Sequence, residues 1–302
     1  MRSADVGWSW LKKCNSTLRG FLFSKEKRTF AVQNIFDKKS VTIRKVIDAL
    51  ERFAPLPLQE GYDNAGLQVG LTEAEVSGAL LCLDVTEAII DEAVARGCNL
   101  VVAHHPLIFR KLACISDGDY VQRTVMKAIR VGVAIVAMHT NLDNARGGVN
   151  FKMAERMGLR NVDFMAEPRM VEGIDGASGV VGELAEPMEA RAFVAMLKER
   201  FGAESVRCNE LLKRPIRRVA LCGGAGSFLL GEAMKAGADA FVTGEMGYHE
   251  FFGHEQQIQI AVIGHYESEL ATREIFRDII EHECEGVRCL MAETNTNPIK
   301  YL

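Results

Sequence analysis

Residues 81–105, LCLDVTEAIIDEAVARGCNLVVAHH, align without a gap to residues 221–245, LCGGAGSFLLGEAMKAGADAFVTGE. Leu81/Leu221, Cys82/Cys222, Glu92/Glu232, Ala93/Ala233, Gly97/Gly237 and Val102/Val242 are identical pairs. Each copy reads as an apolar strand, a turn, an amphipathic helix closed by glycine and a second apolar strand. That succession marks a parallel βαβ unit, because parallel neighbours need a long crossover. A second correspondence follows, AIVAMHTNLD (134–143) with IAVIGHYESE (260–269), which pairs His139 with His265 and Asp143 with Glu269. The chain thus repeats one α/β design, and we expect two similar domains, 41–165 and 166–302, with a site in the cleft between them. In open parallel sheets ligands collect at the carboxyl ends of strands, where both halves place polar residues.

Those residues have metal-binding chemistry. Five of the seven histidines, at 104, 105, 139, 249 and 265, stand at or just beyond strand ends in motifs with nearby carboxylates. Adjacent strand residues point to opposite faces, so His104 and His105 share a site only if the strand breaks there, and Pro106 supplies the break. Imidazole nitrogen and carboxylate oxygen are the donors expected for Zn, Mn or Fe. Five ligands, His104, His105, Asp143, His265 and Glu269, suit two divalent ions better than one. A carboxylate can bridge ions roughly 3.5–4 Å apart, and such a pair activates water against amides, formyl groups or phosphoesters. Each element alone has a plainer reading: a His-His before proline caps a turn, and helices contain HxxxD and HxxxE spacings by chance. The repeat, which brings them to equivalent positions, favours the metal.

Composition narrows the classes. The 302 residues are 48% hydrophobic and 25% charged with a formal net charge of −4, ordinary for a globular protein. Nothing calls for nucleic acid or an anionic membrane as partner, and no apolar run reaches the length of a membrane span. Eight cysteines are scattered without a CxxC pair, so neither a zinc ribbon nor a disulfide framework is expected, and Cys284 and Cys289 read as small buried hydrophobes. Reduced thiols imply a cytoplasmic protein. The first forty residues hold nine Lys/Arg against three Asp/Glu. We expect an N-terminal extension over 1–40, as a disordered tail, a transit peptide or a mis-assigned start.

Two further clusters are weaker. Gly223, Gly224, Ala225, Gly226 and Ser227 lie between a strand and a helix, where amides can cradle an anion, but they complete neither a GxGxxG nor a P-loop pattern. A tight turn is the default there. Glu245 and His249, in TGEMGYHE (243–250), line the cleft or orient ligands from behind.

The stretches DNAGLQVG (63–70), VVAHHPLIF (101–109), HTNLDNARGGVN (139–150), TGEMGYHE (243–250) and GHYESE (264–269) resemble, in order and spacing, the motifs of the Nif-three-like family, NGG-one-interacting factor three and its relatives. Members are commonly called GTP cyclohydrolase I type 2 homologs. The resemblance runs from about residue 41 to the C-terminus and implies a dinuclear metal site on His104, His105, Asp143, His265 and Glu269. It further implies two α/β domains facing one another across the metal cleft and a toroidal homohexamer. The intervening stretch, about 165–215, is too short for the large domain that some members insert. The implied activity is hydrolytic opening of a guanine ring, with His139 a candidate proton shuttle and a small molecule, with a nucleotide as the candidate, as substrate. No aromatic stacking box or triphosphate clamp is legible, and Arg146, Gly147 and Gly148 are the local candidates for anion contact. The rival expectations are a non-catalytic metal-stabilised scaffold that binds partners and, from the glycine-rich turn, a dinucleotide-binding oxidoreductase.

Overall fold

Thr42 is extended, and its hydroxyl accepts from the Lys45 amide at 3.4 Å, capping helix α1 (Ile43–Phe53). The computed structural model describes residues 40–302, so the expected N-terminal extension lies, Ser40 apart, outside the described residues. Ile43, Val46, Ile47 and Leu50 form the buried stripe of α1. After strand β1 (Gly66–Val69) come β2 (Ala79–Cys82), helix α2 (Glu87–Ala95), β3 (Leu100–Ala103), helix α3 (Tyr120–Val131) and β4 (Ala134–Ala137), two successive βαβ units. Leu80 lies opposite Val101, and Val101 opposite Ile135, in parallel register; β1 closes antiparallel on β4. Every residue of β2, β3 and β4 is buried, as a sheet covered on both faces requires. Alternation sends Leu81, Val102 and Val136 towards α1 and Leu80, Val101 and Ile135 towards α2 and α3.

Helices α4 (Thr140–Asn144) and α5 (Val149–Met157) lead to the second sheet. Its segment comprises β5 (Arg160–Phe164), a hairpin of β6 (Arg169–Val171) and β7 (Ile174–Gly176), β8 (Val180–Met188), helix α6 (Ala190–Phe201), β9 (Arg207–Cys208), β10 (Ile216–Cys222), helix α7 (Leu230–Lys235), β11 (Ala240–Thr243) and β12 (Gln259–Val262). The sheet runs β5-β8-β10-β11-β12-β9. Its centre is parallel, Leu221 opposite Val242 and Val242 opposite Ala261. The second copy of the repeat therefore folds as the first does. Gly97 and Gly237 close the equivalent helices at φ +68° and +69°, a backbone that glycine adopts at little cost.

The C-terminus breaks the symmetry. After α8 (His265–Glu269), helix α9 (Thr272–Glu283) and strand β13 (Cys289–Met291) return to the first sheet, where β13 pairs with β2 and places Leu290 opposite Leu80. Phe276 and Ile280 of α9 share the core beneath α1. Residues 272–292 thus leave the second sheet, with which the division at 166–302 groups them; the edge of β2 would otherwise expose unpaired backbone groups, and β13 covers it. Cys284 and Cys289 are free thiols. No helix among the described residues is long and apolar enough to cross a membrane.

The chain beyond β13 is tied down by Glu92 of α2. Its carboxylate accepts from the Glu293 and Thr294 amides at 2.8 and 2.9 Å and from Arg96 at 2.6 Å. Burial alone would raise this carboxyl, but those bonds prevail and bring it from 4.5 to about 2. A folded value below the unfolded one means that the contribution is complete above about pH 4.5 and is lost as pH falls towards 2. Glu92→Ala is expected to cost about 2 kcal/mol in a urea titration at neutral pH and to open residues 293–301 to proteolysis; an unchanged midpoint and cleavage pattern would contradict this anchoring.

Candidate metal centre

Asp84 follows β2, His104 and His105 follow β3, His139 follows β4, Glu245 follows β11 and His265 follows β12, so the polar residues cap parallel strands of both sheets at their carboxyl ends. Strand β3 breaks ahead of Pro106: the amides of His104 and His105 both donate to the Leu83 carbonyl, at 3.2 and 2.9 Å. Two consecutive side chains thereby leave the strand alternation, and their ring centroids lie 5.0 Å apart.

Four imidazoles are oriented alike. Nδ1 of His104 faces the Met138 carbonyl at 2.9 Å, that of His105 faces Asp84 at 2.7 Å, that of His139 faces Asp63 at 2.7 Å and that of His265 faces Glu245 at 2.8 Å. An oxygen acceptor at Nδ1 favours the proton there and leaves the Nε2 lone pair for another partner. Three of the Nε2 atoms surround Glu269, at 3.0 Å for His105, 3.1 Å for His265 and 3.6 Å for His104. Asp143 lies 3.6 Å from His104 Nε2. The donor atoms of His104, His105 and His139, of His105, His265 and Glu269, and of His104, Asp143 and Glu269 each fall within 4.8 Å of one another. Three overlapping groups of this kind can hold metal ions.

The electrostatics fit a cation. Nε2 of wholly buried His104 has no hydrogen-bond partner, a costly state for an imidazole nitrogen. Burial, aided by the neighbouring Glu269, pushes the Asp143 carboxyl well above the usual carboxylate range. Burial would raise Glu269 too, but the adjoining His104 and the bonds to His105 and His265 hold it well below that range. His105 and His265 lose basicity to burial, then gain more from their carboxylate partners and reach about 10 and about 9. Divalent ions at their Nε2 positions would displace those protons. The mixed nitrogen and oxygen donor set suits zinc, manganese or iron. Space is kept by Gly224, at φ +56°, where a Cβ would overlap the Glu269 carboxylate.

Buried polar residues in HTNLDNARGGVN brace this centre. Thr140 donates from both amide and hydroxyl to Asp63, Asn141 reaches the Ala54 carbonyl at 2.7 Å, and Asn144 the Leu58 carbonyl at 2.9 Å. Asn150 spans the two sheets, donating to the Asp143 carbonyl and accepting from the Gly223 amide, each at 2.9 Å.

Other expected residues fall elsewhere. His249 sits in the turn Tyr248–Phe251 against Tyr248 and Phe252, with ring centroids at 5.2 and 6.2 Å, and stays out of the cluster. Arg146 is no anion contact: it pairs with Asp163 at 3.0 Å and lies 4.7 Å over the Phe164 ring. In the glycine-rich turn the amides of Gly223, Gly224 and Gly226 are taken by Asn150, Ser268 and Thr243, so these three are not free to cradle a phosphate. Asp63 and Asp84 escape the sequence reading. Asp63 lies 76 residues from the histidine it holds. Asp84 aligns with Gly224 in the repeat, so no second copy advertises it, although its place just beyond a parallel strand matches that of His104. Asp84→Asn is expected to weaken divalent-metal affinity about 10–100-fold in a chelator competition while the circular dichroism spectrum is retained; undiminished affinity would remove Asp84 from the centre.

Two cavities meet at the cluster and share Asp84, His105, Ala225 and His265. One, about 430 Å³, is also lined by His139, Asp143 and Glu269. The other, about 820 Å³, is lined by Glu245, Tyr266 and the C-terminal residues Asn297–Ile299 and Tyr301.

The family model described as Duf34/NIF3 (NGG1p interacting factor 3) matches residues 41–298. A Clostridium perfringens protein named GTP cyclohydrolase 1 type 2 homolog is 33% identical over 228 residues, covering 75% of this chain and 86% of its own. A Clostridium acetobutylicum protein of the same name is 30% identical over 269 residues, 87% of this chain and 99% of its own. Among solved structures, that of a Staphylococcus aureus protein is similar with a TM-score of 0.80 at 26% identity, covering 87% of this chain and 100% of its own.

Proposed function

Because the chain belongs to the Duf34/NIF3 family, we propose that His104, His105, Asp143, His265 and Glu269 hold two divalent metal ions and that the protein is a metal-dependent hydrolase acting on C–N bonds of a small molecule. The name of its relatives, GTP cyclohydrolase 1 type 2 homolog, points to the same reaction class. The observation that carries this proposal is the common orientation of the imidazoles, with Nδ1 held by oxygen and Nε2 turned inward. Zinc, manganese or iron at this donor set lowers the pKa of water and polarises the bond to be cleaved.

The chain's own residues divide the remaining work. Asp84 and Glu245 orient His105 and His265. His139, braced by an Asp63 carboxyl held down at about 2, lines the smaller cavity and can carry a proton to or from a bound molecule. In this proposal the ring-bearing substrate sits between two α/β halves, and the protein is a cytoplasmic homohexamer.

Elemental analysis is the test. About two equivalents of metal per chain are expected, followed by release of formate or ammonia from heterocyclic substrates; a chain that takes up no metal on reconstitution sinks the proposal. A second reading has one observation in its favour. The cluster joins residues that follow strands of the first sheet (His104 and His105 after β3, Asp143 on α4) to residues that follow the second (His265 and Glu269 on α8), so the ions would also staple a non-catalytic scaffold. His139→Ala with metal and assembly intact but turnover gone would favour the enzyme, and Asp143→Asn that loses only assembly would favour the scaffold.

A further inference from the structure

Strand β13 runs parallel to β2, so the chain that follows it emerges at the end of the sheet where Asp84 and His104 stand. The Ala292 amide still donates to the Leu81 carbonyl at 2.9 Å. Beyond it Glu92 holds the Glu293 and Thr294 amides, and the segment then reaches the histidine cluster at two points. The Thr296 hydroxyl donates to Asp84 Oδ2 at 2.8 Å, across 212 residues of sequence. The Asn297 side-chain amide donates to Glu267 at 3.0 Å, and Glu267 stands on α8 between His265 and Glu269.

Each oxygen of Asp84 is thereby engaged: Oδ1 faces His105 Nδ1 at 2.7 Å, and Oδ2 accepts from Thr296. The last torsion of an aspartate is soft, so a single bond to the imidazole would let the carboxylate swing, whereas a second bond on the other oxygen fixes its plane. Asp84 is 33% exposed at its side chain, and water in place of Thr296 would fix no direction. The same device recurs nearby. Asp63 faces His139 with Oδ1, and its Oδ2 accepts from the amide and the hydroxyl of Thr140. There the threonine is the neighbour of the histidine itself; for His105 it arrives from the segment beyond β13. His104 rests instead on the Met138 carbonyl and His265 on Glu245.

Given the dinuclear site proposed above, and independently of hydrolysis, we infer that Thr296 is a positioning residue: through Asp84 it holds the His105 ring towards the ion that His105 shares with His265 and Glu269, which makes residues 293–297 part of the metal centre. A carboxylate behind a ligating histidine sets the ring's direction and its basicity, and Thr296 sets the direction of that carboxylate. The group of His104, Asp143 and Glu269 does not include His105, so the two ions should respond unequally.

Zinc competition against a chromophoric chelator, run on the full chain, reads both affinities. Thr296→Val keeps nearly the shape of the side chain and removes the hydroxyl. It is expected to weaken one of the two equivalents by about three- to tenfold, the range of one hydrogen bond, with the other equivalent and the circular dichroism spectrum as in the parent; Thr296→Ser should restore the parent affinity. In an Asp84→Asn background the valine should add less than about twofold, because Thr296 acts through that carboxylate. Affinities unchanged by the valine overturn the inference, as do both ions weakened alike, a serine variant no better than the valine, or losses that add in the double variant. A valine variant without the parent's circular dichroism spectrum would show that Thr296 only holds the fold, and overturns it too. A parent chain that takes up no zinc sinks it together with the metal-centre proposal, whereas two ions with the expected asymmetry and no hydrolysis of any substrate leave it standing and sink the hydrolase proposal alone.

Discussion

Glu269→Gln is expected to leave a folded chain that holds neither of the two divalent ions proposed for this centre. Glu269 is 3% exposed and is, among the described residues, the one carboxylate that three imidazoles approach, at 3.0, 3.1 and 3.6 Å. Glutamine keeps the volume, so the space that Gly224 leaves is still filled and no cavity opens, yet the amide brings no charge and puts an N–H₂ where a cation needs a lone pair. Loss of an outer partner alone costs about 10–100-fold in metal affinity, and removal of the central ligand should cost well beyond that. Elemental analysis with circular dichroism on the same sample decides the matter; about two equivalents retained by the glutamine variant would remove Glu269 from the centre. A variant without metal and without structure would instead make the ions part of the fold.

Gly148→Ala should be the most damaging single methyl group in the described chain. Gly148 precedes α5 at φ −77°, an ordinary backbone angle, so strain at its own dihedrals is not the cause. An added Cβ would fall on the Leu142 carbonyl oxygen, with the Ala145 carbonyl oxygen 3.0 Å away. Both obstacles are backbone and neither can swing aside as a side chain would. The corner between α4 and α5 would have to open, although it carries Asp143 on one helix and, on the other, Asn150, which ties the Asp143 carbonyl to Gly223. A loss of about 4 kcal/mol or more is expected in thermal or urea unfolding. Gly147→Ala is the matched control: its φ of +79° disfavours a side chain, but the Cβ meets only the edge of Phe53 at 3.4 Å, for a cost of about 1–2 kcal/mol. Equal costs at the two positions would contradict this account of the corner.

The same pair shows how a motif can be noticed for the wrong reason. Arg146, Gly147 and Gly148 read as an anion contact because Arg-Gly-Gly beside a candidate site has that composition. The guanidinium is in fact taken by Asp163 and Asp175, and the second glycine is required by a carbonyl oxygen six residues away. The glycine-rich turn is a similar case. Gly224 makes room for the Glu269 carboxylate, and side chains of distant residues consume the neighbouring amides.

The α/β class, the two parallel βαβ units and the strand ends bearing His104, His105, His139 and His265 were determined by the sequence alone. They follow from periodicity, from glycines at helix ends and from one proline, all of which act within a few residues of where they stand. Two strands buried on both faces read as apolar runs whatever surrounds them, and Pro106 ends its strand without outside help. Tertiary structure decided the rest. Asp63 reaches His139 across 76 residues and Glu269 reaches His105 across 164, and no local pattern records which of several carboxylates lands opposite a given ring. The return of β13 to β2, the exclusion of His249 and the gathering of Tyr62, Phe109 and Phe228 at one cavity belong to the same class. Each depends on which surfaces meet once both sheets have formed, and burial and hydrogen-bond satisfaction settle that over the whole fold.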